Sequence, residues 1–326
     1  MLRHFRLYLF YFILLFHAQI IAKEELNTLL ILNMKNIPEF PKEFRTTKDV
    51  FFETSKTVPT REGFDQLNLS GSGQFSDKSF KILFEKLNHP QNFYLLDLRQ
   101  ESHGFINGDA VSWYGIKDWG NVGKTLSQIC KKEQKLLTSI LKQKKVQIAL
   151  KFSKDFKGKS LPKADMSSFD VSTVSTEKQL AKTSKVKYIR IPVTDHVQPS
   201  DDNVDRFIDF FKTLPSNYWI HMHCSAGVGR TSTFMVMFDI MKNAKKISLN
   251  DILCRQFLIG GRDLRKPSYC NWKTNYNKER VKFIEDFYEY CRSNQDRFNS
   301  SWSLYKLLKI ENEIEGSCEC ESVMDI

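Results

Sequence analysis

The segment WIHMHCSAGVGRTSTFMVMF, residues 219–238, restricts the fold more than any other part of the chain. An apolar run of strand character enters a turn of small residues, and an almost wholly apolar stretch leaves it. A helix that is greasy on all sides is buried, and the strand feeding it shares that burial. Helices covering a sheet shelter both elements. Within the turn, Cys224 and Arg230 stand six positions apart with Gly227 and Gly229 between them, which does not look like core filling.

The rest of the chain repeats the alternation. FYLLDLR (93–99) and VKYIRIPV (186–193) read as strands. Phe80, Leu83, Phe84 and Leu87 precede the first at helical spacing, and Val204, Phe207, Ile208 and Phe211 follow the second. Phe283, Ile284, Phe287, Tyr288 and Cys291 mark another amphipathic helix. This pattern predicts an α/β fold with a mostly parallel, buried sheet. With 326 residues, 41% hydrophobic and 26 of them Phe, the chain can form one large domain or one domain with a substantial insertion. Residues 105–185 break the rhythm: one helical pattern spans 126–141, VQIALKF looks strand-like, and a Lys- and Ser-rich stretch follows. That stretch reads either as a loop-rich strand insertion or as a flexible linker.

Lys and Arg number 49 against 38 Asp and Glu, a net charge of +11. The surplus favours anionic partners: nucleic acid, a membrane face or a highly phosphorylated small molecule. No stacking or basic-helix motif supports nucleic acid. At the N-terminus, Arg3, His4 and Arg6 precede an apolar run from Leu7 to Phe16, the layout of a secretory signal peptide cleaved after Ala22. The competing reading is a membrane anchor, for which the run is short; the expectation is export, to periplasm or medium, with no membrane span left. Seven cysteines leave at least one thiol free in an exported chain. Cys318 and Cys320 lie in a polar tail that reads as metal-binding or disordered, and no spacing matches a zinc site.

The turn at 224–231 suits phosphate chemistry. Ser225, Ala226, Gly227, Val228 and Gly229 let the backbone curl, and their amides, with the start of the following helix, form an anion nest. Arg230 grips two oxygens in a fork. Cys224 at the mouth of the nest should ionise readily and attack phosphorus. Thr231 can hydrogen-bond the sulfur, and His223 precedes the nucleophile. The competing reading is a buried Cys in a Gly-containing turn. Such a site needs a proton donor, and Asp195 in VTDHVQP lies on a loop just past a strand. A helix cap is the alternative role for it, one that Asp201 or Asp202 fills better. His196 tunes Asp195 or makes a structural hydrogen bond. For Asp97, Arg99 and His103, strand-end architecture is expected. No metal or other cofactor is required, because Arg230 and the amides supply the electrostatics.

The blocks VPTREG, NLSGSGQFS, DLRQESHGFINGDAVSWYGIKDW, IPVTDHVQP and HCSAGVGRTSTFMVM together resemble the PTP-like cysteine phytases of bacteria, a branch of the protein-tyrosine-phosphatase superfamily, from about residue 37 to 305. The resemblance implies a phosphatase core (23–105 and 186–312), an inserted partial β-barrel (106–185), and a polar tail (313–326). It implies Cys224 as nucleophile, Arg230 as clamp and Asp195 as general acid. Arg45, Asp118, Lys273 and Arg280 become substrate contacts, with Lys157 or Lys159 as the insert's cation. Ser225, Gln198 and Arg280 depart from the common Glu, Trp and Lys of the family. The expected substrate is myo-inositol hexakisphosphate. The alternatives are a protein-tyrosine or phosphoinositide phosphatase, whose substrate would want an aromatic wall and a deep slot, and a catalytically silent anion-binding module.

Overall fold

Short β-rich runs alternate with amphipathic helices along the chain, and each finds a partner in one of two sheets. The computed structural model describes residues 28–52, 58–153, 157–266 and 271–321, without the side chains of 312–321. The signal-peptide reading, Cys270, and the side chains of Cys318 and Cys320 therefore lie outside the described residues. In chain order the elements are β1 (Thr28–Met34), β2 (Arg45–Thr46), β3 (Leu69–Ser72), α1 (Asp77–Lys86), β4 (Asn92–Arg99), β5 (His103–Ile106), β6 (Asp109–Gly115), α2 (Leu126–Gln143), β7 (Lys145–Ser153) and β8 (Lys163–Asp170). There follow β9 (Val174–Ser175), α3 (Glu177–Thr183), β10 (Lys187–Val193), α4 (Asp201–Lys212), β11 (Tyr218–His223), α5 (Gly229–Asn243), α6 (Leu249–Leu258), α7 (Thr274–Ser293) and α8 (Trp302–Glu321).

The first sheet has the order β10-β4-β11-β3-β2. Its first four strands are parallel, and only β2 runs antiparallel, against β3. Both faces are covered, which explains the continuous apolar runs. Leu96 and Leu98 of β4 pack with Phe207 of α4, Phe234 and Phe238 of α5, and Phe287 of α7. Phe93 and Leu95 of the same strand face the other way, against Phe80 and Leu83 of α1. Helix α5 is buried along almost its whole length, as its lack of a polar face requires. The cap of α4 corrects the expectation drawn for Asp201 and Asp202. Ser200 is the cap, exchanging hydrogen bonds with Asn203 in a capping box, while the two aspartates occupy the first turn.

The second sheet has the order β8-β7-β1-β6-β5-β9 and is antiparallel except where β1 meets β7. The Lys- and Ser-rich stretch supplies β8 and β9, so it is strand rather than linker. Helix α2 covers one face, setting Leu136, Leu137 and Ile140 against Val111, Trp113 and Ile148. The sheet also takes β1 and β5, which lie before residue 107. The free thiols among the described residues are Cys130, Cys224, Cys254 and Cys291. No helix among those residues is long and apolar enough to cross a membrane.

Candidate active site

Parallel strands deliver their carboxyl ends to one edge of the sheet, and the loops leaving β3, β4, β10 and β11 converge there. The turn after β11 is forced tight by its neighbours. Gly73 donates its N–H to Lys42 O (2.8 Å), and Gln74 donates to Ser225 O (3.1 Å), holding the β3 turn against the nest. Gly227 has φ +77°, and a Cβ there would stand 2.6 Å from the carbonyl carbon of Ser72. A side chain at 227 is excluded both by conformation and by space.

Cys224 is buried. Its sulfur accepts hydrogen bonds from the Gly227 N–H (3.3 Å) and the Thr231 hydroxyl (3.2 Å). Arg230 is also buried, gripped by Glu101: Nη1 donates to Oε2 (2.7 Å) and Nη2 to Oε1 (3.0 Å). Nη1 also donates to Val193 O at 3.1 Å. Burial pushes the Glu101 carboxyl up, but Arg230 and Arg99 outweigh it and hold it at about 2.

Asp195 follows β10 and faces the nest. Its Oδ1 lies 3.2 Å from Arg230 Nε and its Oδ2 3.0 Å from His196 Nε2. Trp119 Nε1 donates to the Asp195 carbonyl (2.9 Å), and Arg280 Nη2 donates to Val197 O (3.1 Å). The loop that carries Asp195 is thus tied down on both sides. His196 has φ +72° and stands edge-on to Trp272, ring centres 5.1 Å apart. Its imidazole is shifted down by burial, against the pull of Asp195.

Asp118 is buried in a short 3-10 turn with φ +65°, and among the described residues its Oδ1 has no hydrogen-bond partner. Burial, then Glu101 and Asp195, push its carboxyl well above the ordinary range. Arg280 is buried against the turn, its Nη1 3.6 Å from where a Cβ on Gly229 would lie. Burial lowers its guanidinium to about 10. Lys273 sits over the Trp272 ring (5.3 Å), as does Lys117 (4.8 Å), which also covers Trp119 (4.6 Å). Gly158, between Lys157 and Lys159, packs on the same indole, its would-be Cβ 2.8 Å away. The insert's two candidate cations therefore flank a glycine that rests on Trp272.

Two sequence-derived residues stand apart from the mouth. Arg45 is buried beneath the loop, donating to Gly227 O (3.0 Å), Glu43 O (2.9 Å) and Ser232 Oγ (3.0 Å). It supports the nest backbone. His223 is committed to Glu177, Nε2 to Oε1 2.6 Å, within a buried network that also holds Asp97, His103, Glu133 and Arg190. Asp97, Arg99 and His103 are buried strand-end groups, as their spacing suggested. Sequence reasoning missed Glu101, Lys117, Trp119 and Trp272. The last three adjoin Asp118 or Lys273, so those motifs carried the only local signal for them.

The sequence model of the PTP-like phytase family, described as inositol hexakisphosphate, matches residues 96–242. The solved PTP-like phytase of Bdellovibrio bacteriovorus is 32% identical, with a TM-score of 0.66, over 86% of this chain and 95% of that one. The tandemly repeated protein tyrosine phosphatase like phytase of Mitsuokella multacida is 38% identical, with a TM-score of 0.77, over 86% of this chain and 49% of that one. A structure of the PTP-like myo-inositol phosphatase from the same organism, in complex with myo-inositol-(1,3,4,5)-tetrakisphosphate, matches equally. The effector protein hopD2 of Pseudomonas syringae pv. tomato is 28% identical over 273 residues, 81% of this chain and 56% of that protein. The chain thus spans about half the length of hopD2 and of the Mitsuokella protein. The likeness to the Bdellovibrio enzyme runs along almost all of that enzyme, and the chain belongs to the PTP-like phytase family.

Proposed function

We propose that the chain hydrolyses phosphomonoesters of myo-inositol polyphosphates, the hexakisphosphate foremost, through a phosphocysteine. The observation that carries this reading is Cys224 Sγ facing the Gly227 amide and the Thr231 hydroxyl, with Arg230 and Asp195 paired beside it. The Cys224 thiolate attacks phosphorus in line, forming P–S as the bond to the inositol oxygen breaks. The nest amides and Arg230 hold the equatorial oxygens while charge spreads over them. Protonated Asp195 gives its proton to the departing oxygen. Asp195 then takes a proton from water as that water attacks phosphorus, P–S breaks, and orthophosphate leaves with the thiolate restored. Asp118, whose carboxyl burial pushes well above the ordinary range, lies beside the site as a hydrogen-bonding group for a substrate hydroxyl or phosphate. Lys117, Lys273, Arg280 and Lys157 or Lys159 supply the cations that a many-fold anion needs. The second sheet is the counterpart of the family's partial barrel, and the apolar N-terminal run directs export.

Inositol hexakisphosphate incubated with the full chain in chelator should release orthophosphate, and Cys224→Ser should abolish the release. Retention of full activity by Cys224→Ser would end the covalent route. The Trp119 and Trp272 rings favour a second reading, phosphotyrosine hydrolysis, since they offer an aromatic wall. Brisk turnover of a phosphotyrosine peptide without release from hexakisphosphate would select it.

A further inference from the structure

The segment after α6 is stitched to the back of the nest. Arg262 N donates to Ser232 Oγ (2.9 Å) in the first turn of α5, the same hydroxyl that accepts from Arg45. The Arg262 side chain lines a small cleft with Lys266, Asn277 and Arg280. Among the described residues its guanidinium has no hydrogen-bond or ion-pair partner. Arg280, across the cleft, is 5% exposed. It donates to Val197 O (3.1 Å) and reaches Asn277 Oδ1 at 3.5 Å, while its Nε finds no acceptor among the described residues.

Among the described residues, no carboxylate lining the cleft is left to pair with Arg262. Asp263 is bound by Arg265, at 2.8 Å to Nε and 3.0 Å to Nη2. Asp195 is occupied by Arg230 and His196. Burial disfavours the Arg280 charge; Asp195, already shared with Arg230 and His196, and Cys224 attract it, while Arg262 and Arg230 repel it. Two guanidinium groups that line one cleft, one of them with no partner of its own among the described residues, form a receptor for an anion, most strongly one with several oxygens.

We propose that Arg262, with Arg280, forms a second anion subsite beside the catalytic nest, taking a phosphate of the substrate other than the one attacked. The proposal rests on the polyphosphate reading above, and it adds a residue that the family motifs did not point to. It makes Arg262 a specificity residue: it favours polyanions over monoesters without touching the reacting phosphorus.

The test is calorimetric titration of the full-length chain with inositol hexasulfate, a polyanion that cannot be turned over, and with inorganic sulfate. Arg262→Gln, which keeps a long polar side chain, should weaken hexasulfate binding about tenfold, the loss of one charge-assisted contact, and change sulfate binding less than twofold. Arg262→Lys should restore part of the loss. Unchanged hexasulfate affinity, or an equal loss for both ligands, overturns the subsite. If wild-type protein releases no phosphate from inositol hexakisphosphate, the substrate reading fails, while the titration still decides whether the subsite exists.

Discussion

The proposed nucleophile, clamp and acid are only as useful as the groups that aim them. Arg230 owes its direction to both oxygens of Glu101, which stand 129 residues away in sequence. Glu101 titrates at about 2 in the fold against an ordinary 4.5. A depressed carboxyl contributes stability that is fully present above 4.5 and is lost as pH falls through about 2. Glu101→Gln should therefore cost about 3–5 kcal/mol at pH 7 and lower kcat at least tenfold. Urea midpoints should show the gap to wild type closing below pH 4.5, and a gap constant from pH 7 to 3 would contradict this account. Cys224, Arg230 and Asp195 were legible in the sequence because each sits in a short pattern with its own chemistry. Glu101 was not, although it lies inside a quoted block, because its role comes from a contact between loops remote along the chain. Arg45 and His223 show the converse: their residue types suggested site roles, but the packing turns one under the loop and the other into a buried acid network.

Among elements, the turn between β11 and α5 carries the most constraint. Gly227→Ala would put a Cβ into the Ser72–Gly73 backbone at a φ of +77°. The nest can accept it only by opening, so the variant should lose activity by two orders of magnitude or more. It should lose about 1–3 kcal/mol of stability, read by thermal melting alongside the phosphate assay. Strands and helices of the first sheet were readable because burial on both faces, or on one stripe, writes an unbroken or periodic apolar signal. The stretch after β7 could be read only as strand insertion or linker, because exposed β8 alternates without a strong apolar face. The cap of α4 shows another limit, since Ser200, Asp201 and Asp202 are all competent caps by type and only the backbone decides which one turns.

At the level of the whole molecule, the two sheets are joined by buried charge as well as apolar packing. Arg190 of β10 donates to Glu133 of α2 (2.6 Å), to Arg99 O (2.9 Å) and to Glu101 O (3.1 Å). Glu133 also accepts the His103 N–H at 2.8 Å. Glu133→Ala would leave Arg190 in the interior with Asp97, 3.1 Å from its Nε, as its remaining carboxylate, and should cost about 1.5–3 kcal/mol, seen as a lower urea midpoint with the same slope. A change below 0.5 kcal/mol would mean that solvent reaches the pair. The placement of β1 has a consequence for the order in which the chain assembles. Thr28–Met34 lies between β6 and β7, which are made about 80 and 120 residues later. During synthesis β1 must wait, unpaired, until β6 emerges, and its other edge stays open until β7 follows, so the middle of the second sheet is built on a segment made long before its neighbours. A protein shortened to begin at residue 35 would lose an inner strand, leaving two raw edges facing each other where sheets are most apt to recruit another chain.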